Sequence, residues 1–168
     1  LAKRAIQIVD LVADLQVQSA TADAAGQAGE FITLAYTAVN QGQEAAQGPW
    51  QDAVYLSADD RLDPSTDRLI GLLDYAGPLG VGETYRPRAV PTYVRLPDRI
   101  EGQFHLFIVA DQSGTVPEKA GEANNVYLIP QAITVTLAPA DLRATGVQSP
   151  AAATAGALVN VAWTVTNE

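Results

Sequence analysis

DLQVQSATADAAGQAGEFITLAYTAVNQ, residues 14–41, and DLRATGVQSPAAATAGALVNVAWTVTNE, residues 141–168, align without gaps when position 141 is set against position 14. Asp14 and Asp141, Leu15 and Leu142, Ala28 and Ala155, Gly29 and Gly156, Ala35 and Ala162, Thr37 and Thr164, and Asn40 and Asn167 coincide at this offset of 127 residues. A second register sets VQS at 17–19 on VQS at 147–149 and needs an insertion of three or four residues before the shared Ala-Gly. Either way the period is roughly 130 residues, too long for a solenoid unit and suited to a tandem array of independent domains.

In the later copy Val159, Val161, Trp163 and Val165 alternate strictly with Asn160, Ala162, Thr164 and Thr166, the period of a half-buried strand. The same offset turns Ile32, Leu34, Tyr36 and Ala38 inward in the earlier copy. Tyr36 and Trp163 become equivalent core aromatics, with a sugar-stacking platform as the functional alternative.

Segments 53–57, 68–75, 84–96, 103–111 and 132–137 also read as strands, and with 8–19 and 31–39 they give a set of about seven. QGQEAAQGP, DPST, GPLGVG, LPDRIEG and DQSGTVPEKAGE separate them, and no stretch shows sustained helical periodicity. Pro87, Pro91 and Pro130 cannot donate to a ladder, so they belong on edges or bulges. The expected fold is an all-β sandwich over 9–137. Residues 1–8 lead in, 138–140 form a short stiff linker, and 141–168 supply the first two strands of a second module.

The composition narrows the function. A formal net charge of −9, with two lysines (Lys3 and Lys119) and scattered arginines, argues against nucleic acid and against an anionic membrane surface. The absence of cysteine removes disulfides and thiolate chemistry. No run approaches the roughly 18 to 20 apolar residues of a membrane span. The chain starts at Leu1 without a charged region followed by an apolar one, and reads as a piece of a longer protein.

DLV near the start, an Ala-Gly, a strand ending VNQG, then VYLSADDRLDPSTDRLIG, LGVGETYRPRAV and GQFHLFIVADQSGTVPEKAGEANN together resemble the CARDB domain, the cell adhesion related domain found in bacteria. The resemblance covers about residues 9–137 and restarts at 140. It implies an immunoglobulin-like sandwich of tandem modules in large secreted or surface-attached bacterial proteins, hence an extracellular spacer or a part in adhesion or filament assembly. It implies no defined ligand and no catalytic residue. The alternatives are a carbohydrate- or protein-binding accessory module of a secreted enzyme, whose partners would be surface glycans or proteins, and a catalytic sandwich built on acidic loops.

Catalytic candidates are few. The sole histidine, His105, lies mid-strand, and no GxSxG segment supports a Ser-His-Asp centre. GPLGVG at 77–82 lacks the Lys-Ser/Thr and helix of a phosphate loop. The acidic turn after YLS holds Asp59, Asp60, Asp63 and Asp67, four carboxylates within nine positions. Its spacing fails the helix-loop-helix calcium pattern, since Arg61 and Pro64 fall where an oxygen ligand and a glycine are needed. The oxygen count still makes this loop the candidate calcium site, against a solvated turn shaped by Asp63-Pro64 and Ser65-Thr66.

In GEANNV, residues 121–126, Glu122, Asn124 and Asn125 are further oxygen ligands to weigh, alongside Asp111 and Glu118. The favoured role for the two asparagines is to close the turn before the last strand, with Asn in left-handed geometry. Finally, Val159, Val161, Trp163 and Val165 form an apolar face that a two-stranded hairpin cannot bury by itself. Neighbouring repeat modules or another copy of the chain, through strand addition or a swap, are the expected cover.

Overall fold

A computed structural model describes residues 11–89, 91–137 and 140–167. The lead-in at 1–8 and all but Ala140 of the linker at 138–140 lie outside the described residues. The chain divides into two compact units, 1–137 and 138–168.

The first unit is a two-sheet β-sandwich. One sheet holds β1 (Leu15–Ala22), β3 (Phe31–Asn40), β6 (Thr84–Tyr85) and β7 (Thr92–Arg95), with β3 in the middle, paired antiparallel to β1 on one side and to β6 and β7 on the other. The other holds β2 (Ala25–Gln27), β4 (Trp50–Ser57), β5 (Arg68–Tyr75), β8 (Gly102–Val109), β9 (Val126–Leu128) and β10 (Ile133–Thr136). Its order is β2-β10-β8-β4-β5, with β9 also on β8. The chain therefore changes sheets between β1 and β2, and β2 runs parallel to β10. This crossing of the first strand between the sheets is the arrangement of an immunoglobulin-like sandwich.

Alternation explains the core. Ile32, Leu34, Tyr36 and Ala38 on β3 are buried, and they face Val54, Leu56, Leu106 and Ile108 of the other sheet in one apolar cluster. β4 is buried along almost its whole length because β5 and β8 flank it on both edges.

The first unit has ten strands among the described residues, more than the expected set of about seven. The run at 84–96 splits into β6 and β7 because Pro87 and Pro91 interrupt it. Pro130 similarly separates β9 from β10. Among the described residues the first strand begins at Leu15, with 11–14 outside it and residues 8–10 of the expected strand outside the described residues, and the connection after it contains the short β2. The segment expected to be a plain loop at 111–122 carries a 3₁₀ turn over Lys119–Asn124.

In the second unit, β11 (Leu142–Gln148) pairs with β12 (Ala162–Asn167). Leu142 opposes Asn167, as Leu15 opposes Asn40, and Gln148 opposes Ala162, as Thr21 opposes Ala35. The pairing follows the gapless alignment. Two local devices recur at the same offset. The Asn40 side chain accepts the Asp14 N–H at 3.0 Å, and that of Asn167 accepts the Asp141 N–H at 2.9 Å. Gly29 and Gly156 stand at φ +83° and +82°, in the left-handed region open to glycine.

Tyr36 is 4% exposed and its counterpart Trp163 58% exposed. Truncation should separate the two copies. Leu34→Ala should lower the unfolding free energy of the first unit by about 2–5 kcal/mol. Trp163→Ala should change it by less than about 0.5 kcal/mol, as measured by denaturant titration.

Candidate functional site

β4 carries a carboxylate into the sandwich interior. Asp52 lies two positions from both Trp50 and Val54 on the inward face of the strand and is 0% exposed. Tyr36 Oη from β3 donates to Asp52 Oδ2 at 2.5 Å, Tyr85 Oη from β6 donates to the same oxygen at 2.8 Å, and the Asp111 N–H donates to Oδ1 at 3.0 Å. Trp50 Nε1 donates to Tyr85 Oη at 3.3 Å. Tyr36, Trp50, Tyr75 and Tyr85 surround the group with ring contacts of 4.5–6.4 Å. Burial pushes the Asp52 carboxyl upward, against the pull of its hydrogen-bond donors, and burial beside that carboxylate raises both tyrosines. With no exposure, Asp52 has no path to a substrate. It ties the two sheets together.

A second polar group lies past the end of β8. The Asp111 carboxylate accepts the N–H groups of Thr115 and Val116 at 3.0 and 2.6 Å, which closes the turn. Glu118 is 1% exposed and accepts the Leu15 N–H at 3.1 Å through Oε2. Asn125 hydrogen-bonds Glu118, and Glu122 accepts the Glu118 N–H at 3.3 Å. Asn40 is fully satisfied: Oδ1 accepts the N–H groups of Asp14 and Gly42, and Nδ2 donates to the carbonyls of Glu44 and Leu79. Among the described residues three enclosed side-chain oxygens accept no hydrogen bond: Asp14 Oδ1, Glu118 Oε1 and Asn125 Oδ1.

The four aspartates of the acidic turn sit between β4 and β5. Asp59 Oδ1 accepts the Arg61 N–H at 2.9 Å, Asp63 Oδ1 accepts the Ser65 N–H at 2.9 Å, and Asp67 Oδ2 accepts the Asp63 N–H at 2.7 Å. The Ser65 hydroxyl and N–H hold the Asp63 carboxyl below the usual carboxylate range. Asp60 is exposed, and Arg68 and Arg99 line the same depression as Asp59 and Asp67. Among the described residues no three of Asp, Glu and His converge as a metal-binding group. The carboxylates of Asp59, Asp63 and Asp67 bind the backbone of their own turn.

Asn124 is exposed, while Asn125 is buried. Asn125 has φ −72°, so the expected left-handed asparagine is corrected: Asp111 and Lys119 take the positive φ values, 40° and 56°. The turn also leads into β9, not into the last strand of the unit. His105 lies on β8 opposite Ser57. Val159, Val161, Trp163 and Val165 are 47–58% exposed, the last two on β12 and the first two just before it. Asp52 and Asp14 were not among the candidates. The signal for Asp52 was available, since WQDAVYLS puts it in phase with Trp50, Val54 and Leu56.

The fold and its buried polar ties define an immunoglobulin-like sandwich of the cell-adhesion-related kind. The chain belongs to the CARDB family, whose model matches residues 12–128. A crystal structure of a CARDB domain from Pyrococcus furiosus, in complex with di-metal ions, covers 74% of this chain and 90% of its own at 18% identity and a TM-score of 0.51. The solution structure of that domain gives 74%, 95%, 18% and 0.50. At this identity the likeness speaks for the fold. A β-glucosidase of Erythrobacter marinus matches 74% of the chain with 16% of its own length, at 14% identity and a TM-score of 0.46, a likeness that says nothing of activity. No curated protein matches the sequence. CARDB is a non-catalytic domain family, and no helix among the described residues is long and apolar enough to cross a membrane.

Two outcomes follow from these contacts. Tyr36→Phe removes one donor to a buried carboxylate and should destabilise the first unit by about 1.5–3 kcal/mol in chemical denaturation. Burial lifts the Glu118 carboxyl from 4.5 to about 7, despite the Leu15 N–H and Asn125, which favour the charged form. The folded state then holds this proton more tightly than the unfolded chain does. The stability it contributes is full below pH 4.5 and is lost as pH rises through about 7. In metal-free buffer, Glu118→Gln should remove about 3 kcal/mol of that pH dependence.

Proposed function

We propose that this chain is part of a non-catalytic extracellular array, a CARDB module followed by the start of another, in a large bacterial surface or secreted protein. It acts as a spacer or in adhesion and filament assembly. The observation that carries this reading is the second unit. Its two strands repeat the register of β1 and β3, with the same asparagine device and the same left-handed glycine. A hairpin that copies the opening of the preceding sandwich, with its apolar face at Val159, Val161, Trp163 and Val165 uncovered, is suited to be completed by further module sequence or by another copy. The fully buried Asp52 supports a structural role over a catalytic one.

Divalent-cation binding belongs to this reading as well. The donors available are carboxylate and amide oxygens without cysteine, which suit calcium, and the related domain from Pyrococcus furiosus was crystallised in complex with di-metal ions.

Antibodies raised against the first unit should label intact cells of the source organism, and external protease should remove the epitope. Labelling that requires permeabilised cells would refute the extracellular assignment.

A further inference from the structure

The three enclosed oxygens that accept no hydrogen bond among the described residues belong to Asp14, Glu118 and Asn125. Glu118 Oε2 holds the N–H of Leu15, the residue after Asp14. Asn125, 3% exposed, hydrogen-bonds the Glu118 side chain. Gly121 completes the surroundings. A Cβ placed on it would stand 3.0 Å from Asp14 Oδ1 and 3.2 Å from Glu118 Cβ, so its hydrogen keeps a gap open between these two acids. Asp14, Glu118 and Gly121 line one surface depression with Gly42.

With Glu118 ionised, Asp14 Oδ1, Glu118 Oε1 and Asn125 Oδ1 are all acceptors, and two of them belong to carboxylates. Buried acceptors are ordinarily matched by donors, and each unmatched one calls for an explanation. A hard cation accepts carboxylate and amide oxygens together, taking its remaining ligands from water or backbone carbonyls.

We propose that Asp14, Glu118 and Asn125 hold a calcium ion where the start of β1 meets the 3₁₀ turn, a site that rests on the cation-binding part of the reading above. The donor set is two carboxylates and one amide, not an acidic triad. It lies away from the aspartate-rich turn between β4 and β5. Its effect on the fold would be to pin the first strand to the connection that follows β8, at the beginning of the module.

The test is calcium titration of the full chain by calorimetry and thermal melting. One calcium per chain should bind, and at about a hundredfold excess over Kd the melting temperature should rise by about 5 °C or more. Asp14→Asn and Glu118→Gln should each weaken binding at least tenfold, while the double variant Asp63→Asn/Asp67→Asn binds as the unaltered chain does. If either single variant fails to fold, Asn125→Asp, which adds a carboxylate at the site, should tighten binding at least threefold. Calcium binding that ignores Asp14, Glu118 and Asn125, or that is lost in the Asp63/Asp67 variant, overturns this site and leaves the cation-binding reading standing. No binding by the unaltered chain overturns both.

Discussion

The Asp52 carboxylate is the contact on which the sandwich depends. It projects from β4, an interior strand of the six-stranded sheet, and its partners are hydroxyls from the opposite sheet, Tyr36 and Tyr85, together with the N–H of Asp111 just past the end of β8. A charge buried in an apolar interior is costly unless its hydrogen bonds are made. The two sheets therefore have one relative placement in which those donors converge. Around it, Trp50, Tyr75 and Tyr85 form an aromatic layer that keeps water out. Apolar packing alone permits small sliding of one sheet over the other. A directional contact between them does not.

A second set of polar contacts fixes the ends of the strands. Asn40, wholly buried and fully bonded, joins the start of β1 to the loops after β3 and before β6. Glu118 does the same between Leu15 and the turn after β8. Asn167 accepts an aspartate N–H as Asn40 does, and Gly156 takes the same positive φ as Gly29. These are positions where the backbone needs a particular acceptor or a positive φ, while the aligned positions Tyr36, which is buried, and Trp163, which is exposed, carry different large aromatics.

Cation chemistry shows how charge in a sequence differs from charge in a site. Asp59, Asp60, Asp63 and Asp67 are dense along the chain, yet three of them are occupied with N–H groups of their own turn. Short polar side chains in a connection bond the nearest backbone first, because those donors are always within reach. Asp14 and Glu118 are separated by most of the module and carry no local signature, and it is their enclosure that leaves oxygens without donors.

The sequence by itself determined the all-β class, the inward face of β3 and the strand-breaking role of Pro87, Pro91 and Pro130, because alternation and missing N–H groups are properties of neighbouring residues, and it showed the likeness of 14–41 to 141–168 at an offset of 127 residues. WQDAVYLS even put Asp52 in phase with the core. Tertiary structure alone decided which sheet each strand joined, that β2 crosses to pair with β10, that Asp52 finds two tyrosines, and that Asp14, Glu118 and Asn125 gather in one place. Those outcomes depend on contacts between residues dozens of positions apart, and the periodicity of a strand shows which face is buried without showing what it is buried against.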